Sequence, residues 1–337
     1  MEQLVIGVDI SKGNFTSAEW VNQQARELPE QSNDRVGFTS FGAIVNERQS
    51  VNTAKSVLLV LEPTGGYEEA LVAFAYEQGW QVALPNPKLV RDWGKGIGKR
   101  AKTDRMDAKL LAQFGVEQRP KPQPALAVEV SELDHLLARQ HDLEGLLQQE
   151  RNRLSEIGCR PHVPKGVIAS LESRVQTLAD ALAQIEQLIQ EQLNAPVALK
   201  QERQRLQTAP GIGPKNSLPV LVLLHRWQTL THGQGSDKGL TAYVGLDPQP
   251  YESGASVYRR ASISKMANSE IRRLLYMGAL GAMRGKNPLR TFYDRLLARG
   301  KAKKLALVAA SRKLLIYAWK LFSSKTSWNP DFHPLPS

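Results

Sequence analysis

The 337-residue sequence predicts an α/β domain built on a mixed sheet, followed by a mainly helical region. Three observations carry that fold class. Short apolar runs alternate with helical patterns over the first 118 residues. Two long stretches with leucine at 3/4 spacing come next. Charge then separates: residues 251–320 hold 16 Lys and Arg against 3 Asp and Glu, a net of +13, which leaves −2 for the rest of a chain whose total is +11.

The elements follow in order. Residues 3–10, with Val5, Ile6 and Val8 in a short apolar run, predict a buried strand. Residues 14–21 (NFTSAEWV) predict a second, and the stretch around 24–30 a third. Val36, Phe38, Phe41, Ile44 and Val45 have helical spacing over 35–48. A strand at 56–62 runs into a turn at Pro63, Thr64, Gly65 and Gly66, then a helix over 67–78 and a strand at 81–85. Helices over 87–98 and 103–117 complete the order βββαβαβα plus a helix. Hairpin-linked strands followed by βαβ units give a mixed sheet with helices on its faces. That is the element order of an RNase H-like domain; a Rossmann sheet does not begin with three consecutive strands.

Residues 119–128 (RPKPQPALAV) read as a Pro-rich linker. Leu133, Leu136, Leu143, Leu147, Leu154 and Ile157 then mark one long helix, and Leu171, Val175, Leu178, Leu182, Ile185 and Ile189 a second. Pro161, Pro164 and Gly166 break the chain between them. Two such helices form a coiled-coil-like hairpin within one chain or an arm that pairs with another subunit. The domain expectation is therefore 1–118, 119–198, 199–325, and a flexible tail over 326–337.

Composition narrows the partners. A pI near 9.7 points first to nucleic acid and second to an anionic membrane. The single cysteine, Cys159, excludes an intrachain disulfide and suits a reducing cytosol. The first apolar run carries Asp9 and is too short for a signal peptide, and the stretch LPVLVLLHRW is far below the roughly 18–20 residues of a membrane span. The expectation is a cytoplasmic protein without membrane contact.

Four acids stand out. Asp9 interrupts the run LVIGVDIS, Glu62 ends SVLLVLEPTGGY, and Asp104 and Asp107 share KTDRMDAKLL. If strands 3–10 and 56–62 lie side by side, Asp9 and Glu62 reach the same sheet end. Asp104 and Asp107 are three apart on a helix and share its side. A convergent carboxylate set is what two-metal phosphoryl chemistry needs. Taken singly, Asp104 or Asp107 is more simply a surface acid; taken with the strand order, the metal site is the better reading. Lys102, Thr103 and Arg105 flank the pair, where they either contact scissile phosphates or balance local charge.

In the third region, PGIGPK at 210–215 has the spacing of a helix-hairpin-helix turn, in which the amides around Gly211 and Gly213, with Lys215, approach a phosphate; an ordinary turn between helices fits equally. Beyond it, serines lie in a cationic field of Arg259, Arg260, Lys265, Arg272 and Arg273. A serine becomes a nucleophile only when activated. Ser253, Ser256, Ser262 and Ser264 compete on spacing.

The combination GVDIS, LEPTGGY, NPK, KTDRMDAKLLAQF, PGIG, AYVGLDP, YESG and RRLLYM resembles the DEDD insertion-sequence transposases of the IS-one-ten family, with its IS-eleven-eleven group, its bridge-RNA-guided recombinases and the relatives of the Piv invertase. The resemblance spans residues 4 to 322. It implies a RuvC-like domain with Asp9, Glu62, Asp104 and Asp107 holding Mg²⁺ or Mn²⁺, a coiled coil that assembles dimers into a tetramer, and a C-terminal transposase domain whose catalytic serine falls on Ser253. It implies that target and donor DNA are cut and rejoined through a phosphoserine link, at a composite site assembled between protomers and guided by a structured bridge RNA, in a bacterial, nucleoid-associated setting. The +13 segment fits a surface for nucleic-acid phosphates.

Three rivals are distinguishable. A RuvC-like nuclease that resolves branched DNA needs the four acids but not Ser253. A non-catalytic nucleic-acid scaffold tolerates loss of Asp104 and Asp107. An actin-like sugar kinase also begins with a strand ending in Asp, but the sequence shows no second phosphate-binding Gly-rich turn.

Overall fold

The computed structural model describes residues 2–98, 104–194, 197–253, 257–265 and 269–329, with backbone alone for 104–106, 197, 250–253 and 257–261. The chain divides into two compact units, Met1–Ala125 and Leu126–Ser337. The long helices expected as a separate segment thus fall within the second unit.

The first unit is mixed α/β. Strands β1 (Gln3–Ile10), β2 (Asn14–Val21) and β3 (Gln24–Ser32) form an antiparallel meander. The β2–β3 turn places Asn22 and Gln23 both at positive φ, 51° and 62°, as the right-handed twist of a two-residue hairpin requires. Then come α1 (Arg35–Val51), β4 (Ser56–Leu61), α2 (Glu69–Glu77), β5 (Gln81–Ala83), α3 (Pro87–Gly96) and α4 (Asp104–Gln118). Strand order is β3-β2-β1-β4-β5, with β4 parallel to β1 and β5 parallel to β4. Asp34 caps α1 by accepting from the Gly37 amide at 2.9 Å. That bond, aided by Ser32, holds its carboxyl below the usual range.

Strand alternation splits the core in two. Leu4, Ile6, Val8 and Ile10 of β1 join Leu59 and Leu61 of β4 under α1 and α2, where Phe15 meets Phe41 edge-on at 5.2 Å. Val5 of β1 joins Leu58 and Val60 of β4 on the opposite face, under Val90 of α3 and Leu111 and Phe114 of α4. The Pro-rich stretch is tied to the sheet edge: Gln123 donates its amide to the Val82 carbonyl at 2.7 Å, and Tyr76 Oη donates to the Gln123 carbonyl at 2.9 Å.

The second unit begins with α5 (Val128–Gly158) and α6 (Lys165–Asn194), which pack against each other along their length. Near the base, Gln192 donates to Glu132 at 2.7 Å. The leucines at 3/4 spacing face inward on both helices. Cys159, exposed, caps the far end of α5. The rest comprises α7 (Val197–Gln207), α8 (Pro214–Leu230), α9 (Asp237–Val244), β6 (Pro248–Ser253), β7 (Val257–Ile263), α10 (Ser269–Ala282), α11 (Pro288–Ala298) and α12 (Lys303–Ser324). Helices α8 and α12 bury residues on nearly every side and form the centre of one apolar core.

The antiparallel β6–β7 ribbon is not among the sequence expectations, which gave this region helices and turns. Its prolines and paired arginines mask strand alternation. Within the span expected as tail, Trp328 donates its amide to Thr208 Oγ1 at 2.7 Å and packs its ring on Tyr317 at 4.7 Å; residues 330–337 lie outside the described set. Among the described residues, no helix is long and apolar enough to cross a membrane.

Candidate active site

Register brings two of the four acids together. Strands β1 and β4 pair in parallel with Gly7 opposite Val60 and Val8 opposite Leu61. One step on, Asp9 and Glu62 are neighbours at the same sheet end, both half-buried. Parity puts them on one face as well: Val5 and Gly7 precede Asp9 on the α4 side, and Leu58 and Val60 precede Glu62 there.

Helix α4 lies directly on that face. A Cβ at Gly7 would stand 2.2 Å from the Ala108 carbonyl oxygen and 2.2 Å from the Ala112 nitrogen, so only glycine admits the helix backbone. Further along, a Cβ at Gly115 would meet Val5 Cγ1 at 2.6 Å and Val60 Cγ2 at 2.7 Å; the existing glycine lets the helix sit flush. Moving along β1 from Val5 to Gly7 therefore means moving back along α4 from Gly115 toward Ala108. Two more strand residues, about 6.6 Å, reach Asp9. Four helix residues back from Ala108, about 6 Å, reach Asp104. The first turn of α4 thus runs toward the end that carries Asp9 and Glu62. Asp107 is half-buried there, and Asp9, Glu62 and Asp107 all have interaction partners.

Side chains outside the acids fix the two loops at this end. Glu68, 7 % exposed, accepts through Oε2 from the Thr64 amide at 3.1 Å, Thr64 Oγ1 at 3.1 Å and the Gly66 amide at 3.0 Å. Gly65 and Gly66 take φ of 77° and 108°, which that turn needs. Asn33 Nδ2 donates to the Ser11 carbonyl at 2.9 Å and the Tyr67 carbonyl at 3.1 Å. One amide therefore ties the loop after Asp9 to the loop after Glu62. Sequence reading missed both residues. Thr64 and Glu68, four apart around a Gly pair, were the available signal for the first; nothing local marks Asn33.

All-oxygen donors from half-buried carboxylates suit a hard divalent cation such as Mg²⁺ or Mn²⁺. Among the described residues, no group of three or more His, Cys, Asp or Glu is arranged to hold a metal ion. The fourth acid, Asp104, opens α4, but its side chain lies outside the described set, as does that of Arg105; Lys102 and Thr103 lie outside it altogether. The donor chemistry fits the ion, but Asp9, Glu62 and Asp107, whose side chains are described, do not by themselves form such a group.

In the second unit, Ser253 ends β6, its backbone paired with Val257 of β7. The side chains of Ser253, Arg259 and Arg260 lie outside the described set. Lys265 is exposed at φ 54°. Arg272 donates to the Val244 carbonyl at 3.1 Å, and Arg273 pairs with Glu270 through Nε at 2.7 Å and through Nη2. That bond, with His141 nearby, holds the Glu270 carboxyl below its usual range. Lys215 is exposed in the first turn of α8. The amides around it are engaged: Gly213 donates to Asn216 Oδ1 at 2.7 Å and Ile212 to the Ala209 carbonyl at 3.1 Å. Gly211, at φ 96°, instead lets the turn press on α10, where a Cβ would lie 2.8 Å from the Gly278 oxygen.

Comparison with known proteins matches these two regions separately. A transposase family model of IS110 DEDD type matches residues 6–157, and the model described as "Transposase IS116/IS110/IS902 family" matches 203–294. The chain is 28 % identical over 339 residues to the pilin gene-inverting protein of Moraxella lacunata, covering 99 % of this chain and all of that one. It is 23 % identical over 361 residues to the transposase for insertion sequence element IS1111A of Coxiella burnetii, covering 96 % and 91 %.

Proposed function

This chain belongs to the IS110 (IS-one-ten) family of DEDD transposases and is an enzyme that acts on DNA, and from that premise we propose that it cuts and rejoins duplex DNA with a serine nucleophile. The observation that carries the acid half is the parallel register Val8–Leu61, which makes Asp9 and Glu62 neighbours on the face that α4 crosses. The strand order β3-β2-β1-β4-β5 supports an RNase H-like, RuvC-like reading of the first unit.

On this reading Asp9, Glu62, Asp104 and Asp107 would hold Mg²⁺ or Mn²⁺, whose chemistry when bound is Lewis-acid stabilisation of charge on a phosphodiester. Ser253 Oγ forms a bond to phosphorus as the bond from phosphorus to a sugar oxygen breaks, and the serine proton ends on that sugar hydroxyl. One phosphoester replaces another, so the energy for rejoining is kept. The serine and the acids belong to different units, so the reaction requires that they be brought together; on this reading an assembled complex does so, with the α5–α6 hairpin as a coiled-coil contact between subunits. A structured bridge RNA would supply target and donor choice by base pairing, with Arg259, Arg260 and Lys265 on phosphates.

Recombination on a plasmid carrying the element's flanking DNA tests the reading. Asp9→Asn and Ser253→Ala should each abolish recombination. Ser253→Ala should also abolish the detergent-resistant protein–DNA adduct while leaving Mn²⁺ binding intact. Recombination by Ser253→Ala would overturn the serine mechanism, and cutting without rejoining would favour a RuvC-like nuclease. Sequencing of copurifying RNA tests the guide: a structured RNA matching both target and donor is expected.

A further inference from the structure

Among the described residues, every Phe, Tyr and Trp is buried or half-buried except Tyr67, which is 48 % exposed. In the first unit Phe15, Phe38, Phe41, Phe74 and Trp80 form a chain of ring contacts under α1 and α2. Tyr67 lies two residues before α2 and stays out of that chain. Strand direction sets its place. Strands β1 and β4 run parallel, and β3 runs the same way because both it and β1 pair antiparallel with β2. The loops after all three strands therefore lie at the sheet end that carries Asp9 and Glu62. Tyr67 follows Glu62 by five residues.

A lone tyrosine on a loose surface loop is ordinary. This loop is fixed. The buried Glu68 carboxylate gathers the Thr64 amide, Thr64 Oγ1 and the Gly66 amide, and Asn33 Nδ2 holds the Tyr67 carbonyl at 3.1 Å. Asn33 also donates its own amide to the Gly13 carbonyl at 3.0 Å and Nδ2 to the Ser11 carbonyl at 2.9 Å. Residues 11–13, 33 and 64–67 thus form one tied rim, and the ring is presented on a fixed backbone at little cost in entropy. Space beside that rim is open: a Cβ at Gly13, Gly65 or Gly66 would meet nothing within 4 Å. Lys12, Arg35 and Val36 at the same sheet end are exposed, Val36 by 78 %. An aromatic face on fixed backbone, in apolar and cationic company, suits the flat face of a nucleobase.

We propose that Tyr67 is a stacking platform for an unpaired nucleobase of the DNA strand that lies at the acids. Inside a duplex both faces of each base are covered by its neighbours, so a protein ring stacks only on a base that has left the helix or ends it. The DNA at the acids is then locally open. Every base has a π-face, so the platform grips the strand without reading its sequence. The subsite rests on the reading that DNA is processed at Asp9 and Glu62. Stacking itself needs neither a metal ion nor Ser253, so binding measured without divalent metal separates its failure from failure of that reading.

The test is fluorescence anisotropy with the full chain, on a DNA duplex with a central bubble of unpaired bases and on a fully paired duplex of the same length. Tyr67→Ala and Tyr67→Leu should each weaken binding to the bubble about tenfold and leave the paired duplex unchanged. Tyr67→Phe and Tyr67→Trp keep a ring and should bind the bubble as the unmodified protein does. The ring carries no charge, so the slope of log K against log salt should not move. Asn33 holds a backbone carbonyl that every substitution at this position keeps, so the melting temperature should stay the same. A second measurement needs no variant: 5-iodouracil placed in the bubble should photocrosslink the unmodified protein at Tyr67, located by mass spectrometry of the digested adduct. Full bubble affinity in Tyr67→Ala or Tyr67→Leu overturns the subsite, as does a crosslink that avoids Tyr67. A loss confined to an RNA hairpin loop overturns it too, in favour of an RNA contact. If the subsite fails while Asp9→Asn still abolishes recombination, the reading of the acids stands; if Asp9→Asn recombines, that reading fails whatever the bubble shows.

Discussion

Asp9 and Glu62 end two neighbouring parallel strands that are covered on both faces, whereas Ser253 ends one strand of a ribbon of two. The sheet end is held from every direction: α4 lies on Gly7, Glu68 gathers three donors of the loop after Glu62, and Asn33 links that loop to the one after Asp9. At the base of the ribbon, Ser264 donates its amide to the Asp247 carbonyl at 3.1 Å, Lys265 donates to the Gly245 carbonyl at 3.2 Å, and Ile263 packs on the core. A two-stranded ribbon has little stability of its own. The acids thus inherit their positions from the fold of a whole unit, whereas Ser253 takes its backbone position from the pairing of two strands.

The comparison can be broken first at the chemistry. Asp9→Asn should lower strand cleavage by about 10³-fold or more, the scale of several kcal/mol of lost charge stabilisation, with the melting temperature little changed. Ser253→Ala should lose the adduct as completely while leaving metal affinity at its unmodified value. Equal loss of metal affinity in both variants would erase the distinction between the halves.

The next effect sharpens how firmly the acid end is built. Gly7→Ala places a methyl group against backbone that cannot give way, so it should cost about 3 kcal/mol of stability in denaturant titration. Metal affinity should fall with it, because α4 carries Asp104 and Asp107. Gly13→Ala has open space around its Cβ and should be near neutral. Smaller again, Glu68→Ala leaves the Thr64 and Gly66 amides without their acceptor, at about 1–2 kcal/mol. Glu68→Gln keeps an oxygen there and should recover part of both stability and metal affinity.

A separate effect concerns pH in the second unit. Lys313 titrates at about 8 in the folded protein, below its ordinary 10.5. Between those values the unfolded chain binds more protons, so stability should rise with pH across that window and be lost as pH falls through 8. Tyr317, raised from 10 to about 12, acts oppositely above pH 10. Lys313→Met should remove the rise between pH 8 and 10 in melting curves; a rise that survives would assign it to other groups.

Much of the first unit was legible because apolar alternation and glycine turns are local signals. The runs around Asp9 and Glu62 predicted two strands, and the structure pairs them. The reason Gly7 must be glycine was not legible, since it depends on where a helix a hundred residues later crosses the strand. The ribbon was hidden by Pro248, Pro250 and the Arg259–Arg260 pair, which look unlike a strand. Arg295 of α11 and Lys313 of α12 meet over the Phe292 ring, and no pattern along the chain brings them together. Gly211 and Gly213 show the converse: a suggestive motif whose neighbouring amides are used inside the turn itself.

The α5–α6 hairpin has a practical consequence. Helix α5 spans 31 residues, about 46 Å at 1.5 Å per residue, and the chain's one cysteine, Cys159, sits exposed at its far end. The rod is a pointer with its own attachment point for a dye. A tilt of about 5° at its base would swing the tip by roughly 4 Å. A single maleimide fluorophore at Cys159, with no cysteine to remove first, would turn that swing into an optical signal.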